Sequence, residues 1–224
     1  MQTMPVRCKL CGIRSTADLE VGIQAGADAL GFICGVTHVS EDALSEDSAR
    51  DLVRLTPPYV STVLVTHLED ANDILRLAGF LGVDTIQVHG LVDLDTMAAV
   101  FAQAHGRRVT KAVHVTGSNA VEQAERYLDV CHALQLDSRT ADRLGGTGEL
   151  HDWSISRQIV QMAAEKAERP VVLSGGLRPA NVADAIATVK PYAVDVNSGV
   201  DGENGNKDPE LAAAFVSTAR SASA

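Results

Sequence analysis

Cys11 and Asp137 each close an apolar run with a side chain that can move a proton. Cys11 precedes Gly12 at the end of the run Arg7–Cys11. A thiol there can ionise if a partner supports it, and a thiolate can take a proton from carbon; the alternative is a small apolar residue in a barrel mouth. Lys9, two positions back, shares the strand side of Cys11. It either favours the thiolate or serves as a structural ion-pair partner. Asp137 ends Ala133–Asp137, where it is a general acid with pKa raised by apolar surroundings or a cap for the next loop. His89 and Gln87 share one side of the strand Thr85–Val88 and its end. The histidine there either binds ligand or satisfies a backbone carbonyl. Asp195 precedes the last glycine turn and reads as a hydrogen-bonding partner of nearby loops.

A second kind of chemistry lies between Val171 and Val200. Two apolar runs end in Ser174-Gly175-Gly176 and in Asn197-Ser198-Gly199, with a helix-like segment between them. Glycines at strand ends let backbone N–H groups approach an anion. Gly175, Gly176, Ser198 and Gly199 are therefore the expected phosphate contacts. Gly146 lies in another glycine-rich stretch, Leu144–Gly148, which reads as a mobile cover, a phosphate cradle or a turn.

These groups need a scaffold that gathers strand ends. Apolar β-type runs fall at Arg7–Cys11, Ala29–Cys34, Val60–Thr66, Thr85–Val88, Val109–His114, Ala133–Asp137, Val171–Leu173 and Ala193–Val196. Several are apolar on consecutive positions, the pattern of parallel strands covered by helices. The intervening segments carry the helical period, as in Ala71, Ile74, Leu75, Ala78 and in Val182, Ala185, Ile186, Val189. Pro179 suits a first helical turn, and Gly26, Gly79, Gly82 and Gly106 suit helix ends. Eight alternations predict an α/β fold closed as a (β/α)8 barrel, a parallel eight-stranded TIM barrel, with an open doubly wound sheet as the fallback. Its active site forms at the C-terminal strand ends, which also gather Thr66-His67 and His114. Residues 1–224 form one domain, with 217–224 expected to fray.

Composition narrows the function. The chain has 224 residues, 46% of them hydrophobic, and a formal net charge of −10. That charge argues against nucleic-acid binding, which wants a basic face, but not against an anionic ligand held by backbone dipoles. No apolar run reaches the ~18 residues of a membrane helix, and the start lacks a signal-peptide core, so a cytoplasmic protein with no membrane partner is expected. Cys8 and Cys11 have C-x-x-C spacing, but no second pair follows, which weighs against zinc, and their place in a strand weighs against a redox pair. Oligomeric state is left open.

The motifs together resemble the phosphoribosylanthranilate isomerase family of tryptophan biosynthesis over nearly the whole chain. They are Lys9-Leu10-Cys11-Gly12-Ile13, Gly26–Phe32, Gln87-Val88-His89-Gly90, Leu136-Asp137-Ser138, Gly145–Gly148 with Asp152-Trp153, Ser174–Leu177 with Pro179–Val182, and Val194–Val200 with Lys207-Asp208. The resemblance implies an Amadori rearrangement of a phosphorylated N-ribosyl amine without metal or organic cofactor. It implies Asp137 as general acid at the ribose ring oxygen and Cys11 as general base at the sugar C2. Lys9, Gln87, His89, Gly146 and Asp195 would line the substrate site. Related barrels of histidine biosynthesis, which use an Asp pair, fit less well because Cys11 replaces the first carboxylate.

Two loops leave the family pattern. After the second barrel strand the family usually carries a Ser-Pro-Arg-like segment, whose arginine pairs with the anthranilate carboxylate. Here Gly35–Ser45 has no arginine or proline and carries Glu41-Asp42. After the third, Val65-Thr66-His67 replaces a Phe-Val-Asn ending. His38 or His67, if protonated, is the candidate replacement for the arginine. Either anthranilate is held differently, or a paralogue isomerises another phosphoribosyl-amine or sugar phosphate. A non-catalytic phosphosugar-binding protein is the third reading, and retention of Cys11 and Asp137 counts against it.

Overall fold

The computed structural model describes residues 5–37, 40–138 and 152–222. Eight strands appear where the apolar runs predict them, each end within one residue: β1 (Arg7–Leu10), β2 (Ala29–Cys34), β4 (Ser61–Thr66), β5 (Thr85–Val88), β6 (Arg108–His114), β7 (Ala133–Asp137), β8 (Val171–Leu173) and β9 (Ala193–Val196). The remaining strand, β3 (Ala43–Leu44), is a two-residue addition beside the end of β2, with Ile33 opposite Ala43. No periodicity in so short a stretch could announce it.

Every pairing among these strands is parallel. β1 pairs with β9, placing Lys9 beside Asp195, and also with β2, placing Lys9 beside Ala29. The sheet therefore closes into the expected barrel rather than the open fallback. Closure explains the continuous apolar runs, since each strand meets helices outside and other strands' side chains inside.

Helices form where an apolar stripe meets a cap. In α3 (Ala71–Leu81) the Asp70 carboxylate accepts the N–H groups of Asn72 and Asp73, and Gly82 ends the helix at φ 75°. Ile74, Leu77, Ala78 and Leu81 are its buried residues, and Gly79 lies in its last turn, near the helix end. In α7 (Val182–Val189) the four periodic positions are buried. Pro179 falls in the turn before α7 rather than its first turn. The Asn181 side chain builds that turn by accepting from Arg178 N–H and donating to the Gly176 carbonyl. The segment expected to fray from Ser217 is helical to Ala222 in α8 (Pro209–Ala222), because Phe215, Val216 and Ala219 bury one face.

The core has two shells. The larger lies between sheet and helices and includes Leu10, Leu30, Phe32, Leu64, Ile86 and Leu134. The smaller, inside the barrel, joins Cys11 to Ile33, Val63 and Val65.

Candidate active site

The barrel interior carries a buried polar layer built from β1, β5, β7 and β9. Lys9 Nζ donates to Asp195 Oδ2 at 2.7 Å and to Gln87 Oε1 at 3.1 Å. Gln135 Nε2 donates to the same Asp195 oxygen at 2.7 Å. Burial alone would lower the Lys9 ammonium, but Asp195 and Cys11 more than offset it and hold Lys9 above its ordinary value. Burial pushes the Asp195 carboxyl up against the pull of Lys9. With two donors on one oxygen, the ion pair is the state this geometry favours.

Cys11 sits above Lys9 at the end of β1, its N–H donating to the Val196 carbonyl at 2.8 Å. Burial pushes its thiol above the ordinary value, and Lys9 opposes this without reversing it. Lys9 is the ion-pair partner of Asp195, and its charge pulls the thiol in the opposite direction to burial.

Asp137, 7% exposed at the end of β7, is not a cap for the loop alone. Its Oδ1 accepts the Ser138 N–H at 2.8 Å, and its Oδ2 faces His89 Nε2 at 3.4 Å. His67, His89 and His114, from the ends of β4, β5 and β6, stand in a row, with ring centroids 4.9 Å and 5.1 Å apart. Burial pushes the Asp137 carboxyl up, as the sequence predicts. The hydrogen bond and charge of His89, the charge of His114 and the Ser138 N–H outweigh it, leaving the carboxyl below its ordinary value. The expected raised acid is thus corrected by neighbours that only closure supplies.

The two glycine turns lie side by side after β8 and β9, and the structure adds a second reason for their glycines. A Cβ on Gly175 would lie 2.2 Å from Ser138 Oγ, and one on Gly199 would lie 1.9 Å from the Leu177 carbonyl oxygen. The protein's own backbone packing excludes side chains at both positions.

Comparison with known proteins decides what this constellation is. The model of the N-(5'-phosphoribosyl)anthranilate (PRA) isomerase family matches residues 8–218. The chain belongs to the PRA isomerase family. It is 40% identical to N-(5'-phosphoribosyl)anthranilate isomerase of Halobacterium salinarum, over 95% of each chain. It is 38% identical to N-(5'-phosphoribosyl)anthranilate isomerase 2 of Methanosarcina mazei, over 96% of this chain and 94% of that one. Among solved structures, the phosphoribosyl anthranilate isomerase of Thermotoga maritima superposes with a TM-score of 0.82 at 33% identity, covering 96% of this chain and 99% of that one. A structure of the family enzyme in complex with reduced 1-(o-carboxyphenylamino)-1-deoxyribulose 5-phosphate superposes with a TM-score of 0.79 at 32% identity, with the same coverage.

Within this PRA isomerase barrel, the loop after β2 is anchored by charge. Asp42 accepts from Asn197 Nδ2 at 2.8 Å and lies 3.6 Å from the Arg14 guanidinium. Lys207 Nζ donates to Asn197 Oδ1 at 2.8 Å and to Asp201 at 2.6 Å. The Asp42 carboxylate thus ties the loop after β2 to the loop after β9. His67 is buried in the mouth, while His38 and Gly146 lie outside the described residues.

Sequence reasoning missed Gln135, Arg14 and Asn197. Gln135 carries a usable signal, an amide inside an apolar run on the same strand side as Asp137. His89, His114 and Asp137 bring metal-ligand atoms within 4.8 Å of one another. However, the Gln87 amide nitrogen occupies the His89 Nδ1 side, at 3.3 Å. His89 then has no lone pair to give an ion unless its tautomer changes. No helix among the described residues is long and apolar enough to cross a membrane.

Proposed function

We propose that this chain isomerises N-(5-phosphoribosyl)anthranilate to 1-(2-carboxyphenylamino)-1-deoxyribulose 5-phosphate, with Asp137 as general acid and Cys11 as general base. One observation carries the assignment. Cys11 lies within the field of Lys9, and a buried polar chain runs from Lys9 through Gln87 and His89 to Asp137.

Asp137, carrying a proton, gives it to the ribose ring oxygen. The C1–O bond breaks and the nitrogen lone pair closes a C1=N bond, giving the open-chain Schiff base. Cys11, as thiolate beside Lys9, takes the proton from C2, and that electron pair forms C1=C2 as the nitrogen recovers its lone pair. The enolamine then gains a proton at C1 and loses the C2 hydroxyl proton, leaving the ketone. Atoms and electrons balance with no external oxidant. The turns at Gly175-Gly176 and Ser198-Gly199 face the 5-phosphate in this reading, and His67 faces the anthranilate carboxylate.

Freshly prepared phosphoribosylanthranilate is fluorescent, and its disappearance follows turnover. Wild type should consume it, while Cys11→Ala and Asp137→Asn should each lose about 10²- to 10⁴-fold in kcat. Full activity in both variants would refute the mechanism. A second reading rests on the arginine-free loop after β2, namely that the amine is not anthranilate. An inactive wild type that still binds a sugar phosphate would favour that reading.

A further inference from the structure

Gln87 faces two polar partners, one at each end of its amide, and its orientation is forced. Lys9 is a donor only, so the atom facing Nζ at 3.1 Å must be the carbonyl oxygen. Lys9 is itself fixed by its 2.7 Å contact with Asp195, and Gln135 holds the same carboxylate oxygen. The other end of the amide is therefore NH2, and it faces His89 Nδ1 at 3.3 Å. An NH2 group can only donate, which makes Nδ1 the acceptor and leaves the ring proton on Nε2. Nε2 faces Asp137 Oδ2 at 3.4 Å.

We infer that Gln87 is a positioning residue for the catalytic acid: it fixes the neutral His89 ring as the Nε2–H tautomer, so that Nε2–H points at the Asp137 carboxylate. An imidazolium at His89 needs a second proton on Nδ1. That proton would point at the NH2 of Gln87, two buried donors face to face. Gln87 cannot turn over to relieve the clash without presenting NH2 to the Lys9 ammonium. The other charged or titratable groups around the pair are His67 and His114 on the neighbouring strand ends and Asp195, whose charge acts on Asp137's surroundings. Lys111 on β6 directs its ammonium away, to the carbonyls of Gly90 and Ala112 at 2.8 Å each.

Nitrogen-15 NMR of histidine-labelled wild-type protein tests the tautomer without reference to activity. At about pH 8 the His89 signal should show a protonated Nε2 and an unprotonated Nδ1. In Gln87→Glu the carboxylate accepts from both Lys9 and Nδ1–H, so Nδ1 should become protonated. Gln87→Met should lose the tautomer preference. The kinetic arm rests on the isomerase reading. There Gln87→Glu should lower kcat about tenfold or more and displace the pH profile while KM changes little. A wild-type His89 carrying its neutral proton on Nδ1 would overturn the inference. So would a Gln87→Glu variant with unchanged nitrogen shifts. Failure of turnover with the expected NMR result would indict the isomerase reading instead.

Discussion

Gly31 on β2 faces Cys11 so closely that a methyl group on Gly31 would lie 2.7 Å from the Cys11 Sγ and 3.0 Å from Lys9 Cε. The glycine is needed for room rather than for an unusual backbone angle. It leaves the space in which the thiol and its ammonium neighbour sit together.

Gly31→Ala should therefore fold and still fail at chemistry. Overpacking of this size costs about 1–3 kcal/mol. The displaced thiol should lower kcat more than it raises KM, because the contact with Cys11 Sγ is the tighter one and the glycine turns expected at the phosphate lie on other strands. Denaturant titration and steady-state kinetics on the same preparation check this. Wild-type kcat would show that the Cys11 position is not critical.

The Lys9–Asp195 pair predicts non-additive stability. Both side chains are under 10% exposed, at 8% and 6%. Lys9→Met leaves a buried carboxylate without its cation and should cost about 3–5 kcal/mol, whereas replacing both partners should cost less than the sum. A double-mutant cycle with Asp195→Asn, read by urea unfolding, measures the coupling. Strict additivity would mean that the pair contributes nothing.

Alkaline stability should report the buried thiol of Cys8. Burial, helped by the Asp28 carboxylate, pushes it up to about 12 from an ordinary value of 9.0. Above pH 9 the unfolded chain releases this proton first, so the native state binds more protons and stability falls as pH rises; below 9 the contribution is intact. At about pH 10 the loss is about 1.4 kcal/mol. Cys8→Ala should flatten the slope of unfolding free energy against pH relative to wild type. Cys131, pushed to about 11 by burial, acts with the same sign, and Lys111, pushed down to about 8 by burial, with the opposite sign. Both are present in the two proteins, so the difference isolates Cys8. Parallel slopes would contradict the assignment.

His67 predicts where specificity for the amine lies. If it faces the anthranilate carboxylate, His67→Asn should raise KM for phosphoribosylanthranilate about tenfold, the value of one charge-assisted hydrogen bond. The same change should leave a phosphoribosyl-aniline lacking the carboxyl group nearly unaffected. An equal effect on both substrates would place the carboxylate elsewhere.

Eight strand positions, the barrel and the strand-end candidates were legible in the sequence because strands buried on both faces must be continuously apolar. Residues that break such a run at its end, like Asp137, therefore stand out. The helical stripes of α3 and α7 were legible for the same reason, since one face of each must meet the sheet. Less was legible where contacts override local signals. Pro179 yields its helix start to the Asn181 turn, and residues after Ser217 stay helical because α8 buries Phe215, Val216 and Ala219.

The sequence by itself determined which groups are available: a thiol, a carboxylate, an amide, histidines and two glycine turns at the ends of strands. Only the tertiary structure decided their protonation partners. Lys9 and Asp195 stand 186 positions apart in the chain and Lys9 and Gln87 stand 78 apart, yet they share hydrogen bonds inside the barrel. Electrostatic and hydrogen-bond energies depend on separation in space and on burial, and chain separation carries neither. That is why Asp137, read alone as an acid raised by burial, is held down by imidazoles from β5 and β6 once the barrel closes.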